Sequence, residues 1–213
     1  MTSISLAPLL EVDALAMRFD GQTVFEQLSF SCAPGAVALV GVNGSGKSTL
    51  ISLVCGVESP QGGTIRIGGH DMKRHPARAK AQLVYVPNEP VAYDFMRGVE
   101  FLVMVDALRG RQDLRAAGDL IEGLGLGPHM DKRFDAMSLG TRKKFMLLSG
   151  LMSPAPLVVL DEPTNGIDAE AWGFLAAHIR QEGAKRLFFF STHDREFIDA
   201  TGARRLRLGA AQD

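Results

Sequence analysis

The chain has 213 residues, 46% of them hydrophobic and 22% charged, with a formal net charge of −1. That length suits one well-buried α/β domain with room for an inserted subdomain, and is short for two domains. The near-neutral balance offers no electrostatic case for nucleic acid, no stretch approaches the roughly 20 apolar residues that span a bilayer, and no basic-then-apolar leader opens the chain, so the expectation is a cytoplasmic protein.

In chain order, Met1 to Leu10 reads as a lead-in. Val12 to Phe19 and Phe25 to Phe30 flank the turn Asp20-Gly21 and predict two antiparallel strands. Phe19 can be a core residue or an aromatic that stacks on a purine base, and its position leaves both open. Cys32 and Cys55 lack metal-ligand or CxxC spacing and read as buried thiols. After Pro34-Gly35, the apolar run Ala36 to Val40 predicts a buried strand that enters the loop Gly41-Val42-Asn43-Gly44-Ser45-Gly46-Lys47-Ser48-Thr49. A helix follows from about Gly46 to Cys55, ended by Gly56.

That loop is a phosphate site in its proper context. Glycines let successive backbone N–H groups turn inward as an anion nest, and the helix start adds its positive dipole end. Lys47 supplies a cation for β- and γ-phosphates, Ser48 a hydroxyl for Mg²⁺, and Thr49 a side chain able to cap the turn.

Thr64 to Ile67 alternates as a strand. Leu83 to Val86 is a short buried strand that delivers Asn88, Glu89 and Pro90 to its end, where ligands sit in open α/β sheets. Val99 to Leu108 and Leu114 to Leu124 have helical period and suggest a helical insertion. Ser138 caps a helix whose buried face holds Phe145, Leu148 and Met152, and Gly140 permits a close backbone approach. Leu157 to Leu160 is a strand ending in Asp161-Glu162. Beside a phosphate loop these carboxylates divide the work: Asp161 for the Mg²⁺ shell, Glu162 to polarise the attacking water. Thr164 to Asp168 turns into a helix carrying Trp172, Leu175 and Ile179. Leu187 to Phe190 is a further strand that ends in Ser191-Thr192-His193-Asp194, and Arg204 to Leu208 closes as an edge strand with solvated arginines.

Taken together, GVNGSGKS, LVVLDE, SLGTR, TNGID and STHD, in one short chain, resemble the nucleotide-binding subunit of ATP-binding cassette (ABC) transporters from about Val12 to Leu208. The resemblance implies a P-loop NTPase fold in which a RecA-like core and an antiparallel β-subdomain (about 10–86 and 155–208) carry an inserted helical subdomain (about 90–152), all one domain over 1–213. It further implies ATP and Mg²⁺ as ligands, with Ser48, Asn88 and Asp161 at the metal, and ATP hydrolysis. Two copies, or this chain and a homologous ATPase subunit, would close head to tail, so that Ser138, Leu139 and Gly140 of one meet the γ-phosphate at Lys47 of the other. Glu162 would be the general base and His193 would hold the γ-phosphate. Asp168 would join the two sites, and Phe19 would stack on the base. Separately encoded integral membrane subunits would be the partners, with the chain peripheral on the cytoplasmic face, no nucleic acid expected, and export the favoured direction. A soluble ABC-type ATPase acting on a macromolecular assembly is the alternative. The sequence departs from the family at Met137-Ser138-Leu139-Gly140-Thr141, where LSGGQ is usual, at Asn88, where Gln is usual, and at Phe19, where Tyr is commoner.

Overall fold

The computed structural model describes residues 7–19, 21–110 and 117–209. Two sheets share the core. β1 (Leu10–Phe19) and β2 (Gln22–Cys32) pair antiparallel, and β4 (Gly62–Ile67) and β5 (His70–Asp71) complete a four-stranded sheet of order β2-β1-β4-β5, β3 being Gly35–Val40 of the second sheet. That second sheet is parallel, with order β6-β7-β8-β3-β9 for β6 (Leu83–Val86), β7 (Leu157–Asp161), β8 (Leu187–Ser191) and β9 (Arg204–Arg207). The expected strands at 12–19, 25–30 and 204–208 are thus present with shifted ends. Asp20 and Leu114, parts of the expected first turn and second insertion helix, lie outside the described residues.

Parallel strands buried on both faces need apolar residues at every position, and successive side chains point to opposite sides. Leu157, Val159, Leu187, Phe189, Val37 and Leu39 face α1 (Lys47–Val54) and the antiparallel sheet. Phe30 of β2 stacks on Phe189 across this layer at 6.1 Å. The alternate residues Val158, Leu160, Phe188, Phe190, Val84 and Val86 face the other way, where they pack with residues of α5 (Leu139–Leu151), α6 (Ala169–Glu182) and α7 (Arg195–Thr201). The other α-helices among the described residues are α2 (Pro76–Lys80), α3 (Gly98–Leu108) and α4 (Gly118–Gly123).

Among the described residues between 98 and 151 the elements are helical, α3 matching the expected helix at 99–108 and α4 falling within the expected 114–124. These helices approach closely where glycine stands: a Cβ on Gly98 would enter the Phe145 ring, and one on Gly123 would enter the Phe174 ring. Three elements escape the sequence reading. β5 is two residues long, α2 only five, and α7 depends on a cap at Asp194 rather than on an apolar run. Cys32 and Cys55 are buried and free. The β9 arginines are exposed but not merely solvated: Arg205 pairs with Asp199 at 2.6 Å, and Arg204 donates to Ser31 O at 3.2 Å.

Candidate nucleotide site

In a parallel sheet all strands end on the same side. With β6, β7, β8 and β3 adjacent, Asn88, Asp161-Glu162, Ser191 to His193 and the loop Gly41 to Thr49 therefore gather along one edge. Sequence spacing does not show this adjacency; the strand order creates it.

The loop carries its own support. Gly44 and Gly46 adopt left-handed φ of 81° and 91°. A Cβ on Gly46 would lie 2.7 Å from Val24 Cγ1 and 2.8 Å from Phe25 Cζ, so β2 presses against the back of the loop. Gly41 is equally confined, with its Cβ position beside Ser45 Oγ and 2.7 Å from Leu208 O. Among the described residues the buried Ser45 Oγ has no hydrogen-bond partner. Lys47, 8% exposed, donates its ammonium protons to Gly41 O (2.8 Å) and Val42 O (3.2 Å), while Val42, Asn43, Gly44 and Ser48 lie open on the crest. α1 starts from Gly46, which offers no side-chain cap and leaves the first helical N–H groups for a ligand.

Glu162 is the most constrained residue of the edge. It sits at φ 46°, a left-handed conformation that costs a non-glycine residue about 1–3 kcal/mol. Its peptide is held from both sides. The N–H donates to Ser191 Oγ at 2.9 Å, and the carbonyl accepts from Lys143 Nζ at 2.6 Å and from Asn165 N at 3.3 Å. Ser191 in turn donates to Asp161 Oδ1 at 2.6 Å, which leaves the other carboxylate oxygen of Asp161 for another partner. His193 Nε2 lies 3.4 Å from Glu162 Oε1. Next to it, Asp194 caps α7 through Phe197 N (2.9 Å) and accepts the Trp172 indole N–H (2.7 Å), so α6 and α7 together fix the histidine loop. Burial and the nearby Asp161 carboxylate push the Cys55 thiol and the Tyr85 phenol up to about 12, which keeps both protonated.

Ser138 is the N-cap of α5, its Oγ accepting from Thr141 N at 3.2 Å. Leu139 is exposed at the helix start, and a Cβ on Gly140 would strike Gly166 O, so the SLG and TNG segments are in contact within one chain. Asp168 caps α6 through Ala171 N (2.9 Å) and pairs with Lys144 at 2.8 Å. The Lys144 contact first, and then the Ala171 N–H, hold the Asp168 carboxyl below the usual carboxylate range. These bonds give Asp168 a role inside its own chain besides the one the resemblance implies. Asn88 likewise has a partner that the sequence did not suggest: its Oδ1 accepts from Lys143 Nζ at 2.9 Å. Burial lowers the pKa of Lys143, while the Glu162 and Asp161 carboxylates oppose that shift. Phe19 ends β1 opposite Gln22 and is 41% exposed, more open than a core aromatic.

Lys143 and Lys144 are thus residues that the sequence did not single out, while Ser191, Trp172 and Asp194 take supporting roles beyond the positions their motifs gave them. A usable signal did exist for the lysines, because Lys143 and Lys144 precede the buried Leu147 and Leu148 by four residues and so fall on the apolar stripe of α5.

For Mg²⁺, the donor chemistry fits. Ser48 Oγ and the second carboxylate oxygen of Asp161 are hard oxygen donors on α1 and β7, two elements in contact. Among the described residues no group of three His, Cys, Asp or Glu side chains is arranged to hold a metal ion.

The family model described as "ABC transporter" matches residues 25–165, and the chain belongs to that family. It is 31% identical over 75% of its length to the daunorubicin/doxorubicin resistance ATP-binding protein DrrA of Streptomyces peucetius, covering 49% of that protein. It is 28% identical over 97% of its length to the cytochrome c biogenesis ATP-binding export protein CcmA of Pseudomonas savastanoi pv. phaseolicola, covering 98% of it. Against other relatives the chain spans much less, 23% of an ATP-binding/permease protein of Mycobacterium tuberculosis. A solved ATP-binding subunit of an ABC transporter superposes with a TM-score of 0.85 at 28% identity, over 94% of this chain and 85% of that one. A Pyrococcus furiosus structure shares the fold, with a TM-score of 0.80 at 22% identity over 96% of this chain and 99% of that one.

Proposed function

We propose that the chain is the ATP-binding and ATP-hydrolysing subunit of an ABC transporter, which powers export through separately encoded membrane subunits. The observation that carries this reading is the convergence of the phosphate loop, Asp161-Glu162 and His193 on one sheet edge, with Glu162 held in a left-handed conformation by bonds on both sides of its peptide. Resistance and export in the names of DrrA and CcmA support the direction. No described helix is long and apolar enough to cross a membrane, and in this reading the chain sits on the cytoplasmic face through its partner subunits.

In this reading residues 1–213 form one domain, with the helical part at about 90–152 inserted in a core of about 10–86 and 155–208. The N–H groups of Gly41 to Thr49 and the Lys47 ammonium bind the phosphates, and Phe19 stacks on the base. Ser48 and Asp161 would hold Mg²⁺, which would supply charge neutralisation at the phosphates. Glu162 takes a proton from the water that attacks the γ-phosphorus as ADP leaves, and His193 hydrogen-bonds the γ-phosphate. Ser138, Leu139 and Gly140 cover the ATP of a second copy, and Asp168 borders that junction. Tyr93 and Phe95, stacked on each other 5.6 Å apart and exposed in the loop after Asn88, face the membrane subunits.

The test is Glu162→Gln. The variant binds ATP, loses turnover, and accumulates as an ATP-dependent dimer in size-exclusion chromatography, while wild-type specific activity rises with protein concentration. Hydrolysis by the variant at the wild-type rate would refute the assignment.

A further inference from the structure

Lys143 is 3% exposed, and a buried ammonium is costly unless its protons are used. Two acceptors take them, Asn88 Oδ1 at 2.9 Å and Glu162 O at 2.6 Å. These acceptors come from different strand ends, β6 and β7, and the lysine comes from α5, whose N-terminus holds Ser138 to Gly140. One side chain therefore joins the Asn88 loop, the main chain of the strained Glu162 and the helix that begins with SLG. The Asn88 side chain has a single acceptor atom, and that atom also lies 3.5 Å from Asn165 Nδ2. A divalent cation on the same oxygen would have to sit beside the ammonium, and like charges at such range repel strongly. At its far end the same loop is tied to α5 again, by Asp94 to Arg142 at 3.0 Å.

We propose that Lys143 is a positioning residue that locks Asn88 and the Glu162 peptide to α5, and that Asn88 acts as the acceptor for this ammonium and not as a magnesium ligand. The bridge gives a physical route between the helical insertion and the general base. A shift of α5 against the sheet pulls on the Glu162 carbonyl and on the Asn88 loop at once, because both bonds end on one nitrogen. The inference rests on the chain being an ATP hydrolase.

The experiment measures ATP hydrolysis by the full chain, with membranes of the source cell added where the chain alone is silent, for wild type, Lys143→Met, Asn88→Ala and the double variant. Methionine keeps most of the stem volume and removes the donors. Lys143→Met is expected to lower kcat by about ten-fold or more, the loss of a charge-assisted bond, while KM for ATP stays within about two-fold, since the phosphate loop is untouched. Asn88→Ala lowers kcat in the wild-type background, adds nothing in the Lys143→Met background, and leaves the half-activating Mg²⁺ concentration unchanged. A several-fold higher Mg²⁺ requirement in Asn88→Ala, or losses that multiply in the double variant, overturns the bridge. If Lys143→Met does not fold, the Mg²⁺ dependence of Asn88→Ala alone decides. A wild-type chain without hydrolysis under either condition overturns the hydrolase reading itself, whereas an active wild type with independent losses overturns only the bridge.

Discussion

Ser191→Ala tests how the strained general base is held. Ser191 is 1% exposed, and its hydroxyl does two jobs: it accepts the Glu162 N–H at 2.9 Å and donates to Asp161 Oδ1 at 2.6 Å. Alanine removes both bonds without opening space for water. An unpaired buried N–H costs about 1–3 kcal/mol, and a bond to a carboxylate contributes about 1.5–3 kcal/mol. Asp161 is only half-buried and recovers part of its share from solvent, so the expected loss of unfolding free energy is about 2–4 kcal/mol. In urea, with a slope of about 2–3 kcal/mol/M, the midpoint falls by about 1 M. The Glu162 conformation keeps its carbonyl-side bonds from Lys143 and Asn165 but loses its amide-side bond, so turnover falls while ATP binding at the phosphate loop persists. Denaturation followed by tryptophan fluorescence, and steady-state hydrolysis at saturating ATP, measure the two effects. A variant with an unchanged midpoint and unchanged kcat would show that Ser191 supports neither the Glu162 amide nor the Asp161 carboxylate.

Two further predictions concern the frame around the site. Asp168→Asn keeps a good N-cap for α6 but loses the charge that pairs with Lys144. Because the folded Asp168 carboxyl titrates below its unfolded value of about 3.9, its contribution is present above that pH and fades as pH falls through the folded value. The variant is therefore less stable than wild type at pH 7, with the gap closing below about pH 4; a gap that persists in acid melts would remove the ion pair as its cause. Asp194→Ala removes the α7 cap and the acceptor of the indole N–H together, at a cost of about 1–2 kcal/mol for the cap. Trp172 is the sole tryptophan, so its emission reports directly; unchanged emission and stability would refute the role of Asp194 in holding the His193 loop.

What the chain's own order of residues determined was the set of local devices. Gly46 permits the left-handed φ that the loop requires, Ser138 has a side chain that caps the helix after it, and apolar runs at 36–40, 157–160 and 187–190 are long enough for buried strands and too short for helices. Each of these follows from interactions within a few residues, which spacing encodes. Elements sustained from outside were not legible: β5 has two residues and exists through β4, and α2 has five. The tertiary structure alone decided which strand ends are neighbours, and so which side chains share a proton. The order β6-β7-β8-β3 sets Ser191 between Asp161 and Glu162 across 29–30 residues of chain, and packing of α5 on β6 brings Lys143 to Asn88 across 55. Bonds at such separations depend on burial, which makes an unmet donor expensive, and on the sheet order, which brings the acceptor within reach; neither is a property of any short stretch of sequence.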